Sequence, residues 1–365
     1  GVVVTGVRRR NTETAMISNI KNALTVSTGI SAAQIVKTSD SDAAEIIKRV
    51  PGISLIENRF IIVRGLSQRY NNVSINNGAV PSSEADGRAF SFDIIPSSNI
   101  DNMMIIKSPT AELPGDFSGG FIKISTKNMP DENSLSLSVG TGINTVTHFK
   151  DFSLLQSSST EWLGFDRCAR PLSKDFPSHL GSMTDPSQIT YYTKTGFNND
   201  WNVKTFRPLP DLKLNLTWNR KIGDKVGTIL TFGYSNANKT IPDMQNTRYG
   251  IYSATADVPT IEKNYIDNQF TNEVKINAMN NWSFILDSRN RFEFRNLFSQ
   301  IGKNRFTERY GTSTVSGEYY ENQTEMLYSS RLSYVGQLAG LHTLDEDMTQ
   351  TLNWTVDYSY ANKME

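Results

Sequence analysis

From Ser134 onward the hydrophobic positions of the chain fall on every second residue. Leu135, Leu137 and Val139 alternate with serines, and Leu212, Leu214, Leu216 and Trp218 alternate with Lys213, Asn215, Thr217 and Asn219. The period continues through Leu230, Phe232 and Tyr234, then Val274, Ile276 and Ala278, then Phe292, Phe294 and Phe298 against Arg291, Glu293 and Arg295. It ends with Leu332, Tyr334 and Leu338, and with Leu352, Trp354, Val356, Tyr358 and Tyr360 opposite Asn353, Thr355, Asp357 and Ser359. Side chains of a strand point alternately to its two faces, so each segment predicts a strand with one apolar and one polar face. About seven such strands are expected.

The connections bear on what those faces meet. The links 150–210, 236–265 and 302–322 are long, whereas 220–227, 287–290 and 339–349 are short or moderately short. Long links therefore gather at one end of the strands. A soluble antiparallel sheet gives the same residue alternation but not this alternation of loops. An outer-membrane barrel, with brief turns on one rim and extended loops on the other, gives both. An open sheet edge cannot sit in lipid with unpaired N–H and C=O groups, so further strands, from more sequence or another polypeptide, are expected to close it.

The front of the chain follows another rule. Asp42 with Glu45 has the form of a helix cap, Ala43, Ala44, Ile46 and Ile47 supply a helical apolar face, and Pro51-Gly52 ends it. Phe60 to Val63, Met103 to Ile106 and Phe121 to Ser125 read as strands, and Asn77-Gly78 predicts a tight hairpin turn within 72–80. Pro109, Pro114, Gly115 and Gly119-Gly120 punctuate the loop before the last strand. The division is a small α+β module, residues 1–130, followed by antiparallel all-β strands, residues 131–365.

Composition adds exclusions. Lys plus Arg and Asp plus Glu are both 37, which argues against a nucleic-acid partner, and the basic run Arg8–Arg10 reads as a solvated stretch. No apolar run reaches the length of a spanning helix, and the mean hydropathy of −0.41 agrees, but strands that hide a lipid face in alternate residues lower neither expectation of a barrel. Gly1 begins no signal peptide, so the sequence reads as processed, truncated or cytoplasmic. Cys168 stands alone, and His148, His179 and His342, far apart and without metal-binding spacing, read as ordinary surface or loop histidines.

Catalytic patterns are not found in the sequence. Gly140-Thr141-Gly142 lacks the third glycine of a dinucleotide fingerprint, the glycines from Gly115 to Gly120 lack a following Gly-Lys-Ser/Thr, and Asp40-Ser41-Asp42 lacks the rest of a calcium loop. Asp345 and Asp347 belong to a polar turn rather than an apolar cleft. The chain is not expected to be an enzyme or to carry a cofactor or metal.

An ordered set of short motifs resembles the TonB-dependent outer-membrane receptors. It comprises Val2-Val3-Val4-Thr5-Gly6, Ala43-Ala44-Glu45 through Arg49-Val50-Pro51-Gly52-Ile53, Ile62-Val63-Arg64-Gly65, Asn76-Asn77-Gly78, and Ile105 to Pro109 through Gly115 and Gly119-Gly120 into Ile122 to Lys127. Phe149 to Phe165 and Arg170-Pro171-Leu172 are similar to the first barrel strand and outer loop of a large-receptor branch. The resemblance implies a plug folded inside a barrel of about 22 strands in the outer membrane of a Gram-negative bacterium. It implies import of a bulky nutrient such as an iron chelate, cobalamin, glycan or peptide. The alternative is a structural or assembly subunit of a larger outer-membrane complex.

The resemblance also assigns residues. Val2, Val3, Val4, Thr5 and Gly6 are similar to the TonB box, which pairs with TonB by strand addition, although the same valines suit a first strand of the plug. Gln68, Arg69 and Tyr70, and the loop containing Glu84, Asp86 and Arg88, are the substrate-binding candidates, with a solvated hairpin loop as the plainer use. Arg64-Gly65 and Asn77-Gly78 are assigned to plug turns and plug-to-barrel contacts. Trp162, Tyr191, Tyr192 and Trp201 suit either ligand contact or a membrane-interface girdle. Implied partners are TonB with its proton-driven complex, outer-membrane lipids, the nutrient and a SusD-like lipoprotein.

Overall fold

The computed structural model describes residues 13–365 apart from 23–24, 39, 83, 85–88, 131, 157, 167–169, 171, 180, 182, 198–200 and 346–348. Val2 to Gly6, Arg8 to Arg10, Asp86, Arg88, Cys168 and Asp347 lie outside the described residues.

The front module holds helices α1 (Glu13–Asn22), α2 (Ala32–Lys37) and α3 (Ala43–Ile47). Its strands are β1 (Ser27–Ser31), β2 (Ile53–Ile56), β3 (Phe60–Val63), β4 (Asn72–Ile75), β5 (Gly78–Ala79), β6 (Ile100–Ile106) and β7 (Phe121–Thr126). Five form one sheet in the order β1-β6-β7-β4-β5, with β4 parallel to β7, while β2 and β3 make a separate hairpin. As the sequence predicts, α3 starts at Asp42, whose Oδ1 accepts the N–H groups of Ala44 and Glu45 at 3.1 Å. Ala43, Ala44, Ile46 and Ile47 are all buried.

The hairpin turn is placed one residue earlier than Asn77-Gly78. Ile75 pairs with Gly78, so Asn76 and Asn77 are the central pair and take φ of 51° and 69°. Asparagine tolerates this left-handed region, and the Asn76 side chain holds its place by accepting the Thr126 N–H at 2.8 Å.

The second part is one antiparallel sheet in the order β16-β15-β14-β13-β12-β11-β8. Its members are β8 (Ser134–Gly142), β11 (Asp211–Ile222), β12 (Val226–Ser253), β13 (Val258–Ile285), β14 (Asn290–Ser313), β15 (Tyr319–Thr343) and β16 (Thr351–Met364). Between β8 and β11 the chain inserts the hairpin β9 (Phe152–Leu155) and β10 (Val203–Phe206) and an exposed helix α4 (Pro186–Thr195) that carries Tyr191 and Tyr192.

Two of the long links are corrected by the structure. Residues 236–265 and 302–322 are mostly paired strand, so β12 and β13 run 28 residues each and close in the brief turn 254–257. Over 241–262 residues of both parities are largely exposed, so the period-two pattern fades there although the ladder of N–H···O=C bonds continues. Only about ten residues of a strand are needed to cross the hydrocarbon. β12 and β13 extend farthest at the end opposite the short turns.

The two faces of the sheet have different fates. One register row, Leu137, Leu216, Phe232, Ala278, Phe298, Tyr334 and Tyr360, runs across all seven strands on the outward side. Large apolar side chains of that parity stay bare, with Leu135 71%, Val356 65% and Tyr358 66% exposed. On the inward side Ile229, Met279, Leu297, Ile301 and Val335 join one core with Ile46, Ile61, Ile75, Phe92, Met103 and Ile122 of the front module. The apolar faces of the strands are thus not packed on each other. Among the described residues no helix is long and apolar enough to cross a membrane, which says nothing of strands.

Candidate functional site

The seam between front module and sheet is polar where it is not core. Arg331 on β15 donates from Nη2 to Asp93 Oδ2 at 2.6 Å and from Nη1 to the Ser91 hydroxyl at 2.6 Å, all three groups being buried or nearly so. Lys275 on β13 bridges Asp42 at 3.3 Å and Glu273 at 3.2 Å. Asp42 therefore serves twice: one oxygen caps α3 and the other meets the wall. Uncharged contacts extend the seam: Gln337 donates to the Ile75 carbonyl at 2.8 Å, Asn281 to the Lys127 carbonyl at 2.6 Å, and Thr231 to Asn99 at 2.6 Å.

The two carboxyls respond oppositely to their surroundings. Burial pushes Asp93 up, but the Arg331 guanidinium, with Lys275 and the Ser91 hydroxyl, more than reverses this and holds it below the ordinary carboxylate value. Burial also pushes Asp42 up, and there Lys275 reverses it only in part, so Asp42 stays raised.

The sequence-derived ligand residues are divided between two places. Gln68 to Tyr70 forms a single 3-10 turn just beyond the Val63 end of β3. Arg69 donates to the Tyr70 hydroxyl at 2.8 Å and lies 4.9 Å over its ring, and the Tyr70 carbonyl accepts the N–H groups of Ser118 and Gly119. Glu84 lies at the other end of β3. Its carboxylate accepts from Arg59 at 2.8 Å and from Lys363 of β16 at 3.3 Å, so it ties the module to the wall. The backbone between the two groups is β3 itself, about 13 Å long at 3.3 Å per residue. The Arg64-Gly65 pair takes φ of 54° and 78°, and the Arg64 guanidinium donates to the Lys107 carbonyl at 3.0 Å.

Beyond the module the inward face of the long strands remains charged. Asp267 accepts both guanidinium donors of Arg309 at 2.8 and 2.7 Å, Arg305 pairs with Glu325 at 3.0 Å, and Tyr265 bonds Glu321. Lower on the wall Glu293 takes Arg291 at 2.7 Å and also Arg295. Sequence reasoning found the alternation containing these residues but not their pairing, nor Asp93, Lys275 and Arg331. A cation on the polar parity of a strand is the signal that was available.

Of the histidines read as surface or loop residues, His148 lies in the 143–151 loop and His342 on β15, and both are engaged. His148 is buried, its Nδ1 accepting the Asn144 N–H at 2.7 Å and its Nε2 lying 3.1 Å from Asp211. His342 stacks on Trp354 and accepts its indole N–H at 3.0 Å. Both fill structural positions because each ring nitrogen has a local partner. Among the described residues no group of three or more His, Cys, Asp or Glu is placed to hold a metal.

Residues 18–121 match the family model of the TonB-dependent receptor plug domain. The chain is similar to solved structures at low identity. A mutant ferric enterobactin receptor from Pseudomonas aeruginosa in complex with enterobactin is 11% identical over 92% of this chain and 46% of its own, with a TM-score of 0.43. The siderophore receptor PiuA from Acinetobacter baumannii is 10% identical over 93% and 46%, with a TM-score of 0.44. The ferric citrate transporter FecA in its unliganded form is 11% identical over 96% and 58%, with a TM-score of 0.36. The chain spans about half the length of these structures. No curated protein matches it. Residues 18–121 thus match a TonB-dependent receptor plug domain, and this domain is seated on an antiparallel sheet that is bare and apolar on one face and charged on the other.

Proposed function

We propose that the protein imports a bulky nutrient across the outer membrane of a Gram-negative bacterium, with TonB supplying the energy. The observation that supports this most is the division of the sheet: large apolar side chains stand bare on one face, while ion pairs on the other hold the plug. Bare apolar area on that scale suits acyl chains, and a charged wall suits a wet bore. In this reading ligand settles over the plug against the polar wall around Arg305, Arg309 and Asp267, with Gln68, Arg69, Tyr70, Glu84, Asp86 and Arg88 as contacts, a bulky ligand being long enough to reach from one end of β3 to the other. Val2 to Gly6 pairs with TonB by main-chain hydrogen bonds. Charged pairs suit a plug that must shift, because water can replace each partner as the seam opens, which it cannot do for an apolar core.

The nutrient is one of the bulky classes this scaffold accommodates: iron chelate, cobalamin, glycan or peptide. Ligand binding and TonB access are then linked sites, each changing the affinity of the other by the same factor. Deleting Val2 to Gly6 tests the proposal. Uptake should be lost while insertion in the outer membrane and ligand binding persist. An assembly subunit would instead assemble normally with the deletion and transport nothing with or without it.

A further inference from the structure

The outward face of the sheet is bare near the short turns, yet farther along it is covered by the chain itself. The β9–β10 hairpin and the turn that follows β9 lie on the outward parity of β13 and β14. Phe152, fully buried, meets Phe206 and Phe270 edge-on at 5.5 Å, and Phe270 stacks with Phe306 at 6.3 Å. Gln300 donates to the Gly164 carbonyl at 2.5 Å. Gly164 takes a left-handed φ of 77° and lies so close to Gly302 that a Cβ on Gly302 would come 2.5 Å from the Gly164 Cα. Only glycine admits that approach.

A polar clasp completes the attachment. The buried Glu161 carboxylate accepts from Asn304 at 3.2 Å, from Arg170 at 2.9 Å and from the Ser158 N–H at 3.2 Å, and Arg170 lies 4.7 Å over the Tyr328 ring. Asn304 and Tyr328 pair with each other on the same parity as Phe298 and Tyr334, so the clasp grips the outside of the wall.

This covering sets the upper limit of the bare band. On β13 Ile276, 8% exposed, is already covered, and the uncovered outward stretch runs from 278 to 284. At that limit Trp162, 59% exposed, follows buried Glu161 directly in the chain, and Phe165 is 36% exposed. A large aromatic at the edge of an apolar band suits the headgroup–acyl boundary, where its ring leaves water and an indole N–H stays hydrated.

We propose that residues 152–156 and 158–165 form a collar that rests on the outer surface of the bilayer, with Trp162 and Phe165 entering the headgroup–acyl boundary and fixing the depth of the barrel. The collar rests on the lipid-facing reading of the outward strands, and the test separates the two. The full chain is reconstituted in phosphatidylcholine vesicles containing lipid brominated near the glycerol end of the acyl chain, and its emission is compared with that of Trp162→Phe and Trp218→Phe. Trp218, 42% exposed on the outward parity of β11, reports the band. Each substitution should remove a bromine-quenched component, and the Trp162 component should be quenched about twofold more by shallow than by deep bromine. If the Trp162 component answers only to iodide in the water while that of Trp218 answers to bromine, the collar is overturned and the barrel stands. If neither component meets bromine, both readings fall.

Discussion

At the scale of the residue, the seam depends on a few charged side chains whose protonation decides what they contribute. Asp93 sits below its ordinary value of 3.8, so its stabilisation is complete above about that pH and is lost as pH falls through the depressed value. Asp42 is raised, so its preference for the folded state is fullest below the ordinary value and is lost as pH rises through the raised one. With Lys275, Arg331 and Glu273 facing them, the acid limb belongs to Asp93. Protease resistance of the plug should therefore drop below about pH 4 in the parent and lose that step in Asp93→Asn. Asp93→Ala leaves Arg331 buried without its partner and should cost on the order of 3 kcal/mol, read as a lower urea midpoint for plug unfolding. Arg331 could be suspected from its place on a polar parity, but its partner could not: 238 residues separate it from Asp93.

At the scale of the element, the strands are the most legible feature of the chain because a half-buried strand writes its two environments into alternate residues. The alternation predicts that a charge on the outward row is far costlier than the same charge one residue away. Leu137→Arg should impair insertion into lipid vesicles by about 2–4 kcal/mol if it lies near the midplane, whereas Asn215→Arg, facing the bore, should be tolerated, as measured by the band shift of folded protein on unheated gels. The Asn76-Asn77 turn was half legible: the dipeptide chemistry was readable, but its register was decided by pairing of β4 with β5 and of β4 with β7. Asn76→Ala, losing both the left-handed tolerance and the bond to Thr126, should cost about 1–2 kcal/mol of plug stability. The Gly302 contact is an element-scale device too. Gly302→Val should free the covering segment, seen as rapid protease cleavage within 150–210 while the strands remain protected.

At the scale of the whole molecule, one core joins plug and wall, while charges ring it. Such a seam should come apart before the strands do. In urea, the signal of a probe on the plug should be lost at lower concentration than strand content, and the gap should widen at acid pH as Asp93 is protonated. Coincident loss by both probes at every pH would contradict a separable plug.

The sequence by itself determined the strands, their two unlike faces and the cap of α3. Each of these is local: a period, a cap or a turn dipeptide acts over a few residues and leaves its mark there. Tertiary structure alone decided which charges meet across the seam, that Gln68–Tyr70 and Glu84 stand at opposite ends of β3, that two of the long links are mostly paired strand, and that Phe152 and the Glu161–Gly164 turn fold back over the outer wall. Those facts join residues far apart in the chain, and the energy of such a contact depends on distance and burial in space, neither of which is written in the order of the residues.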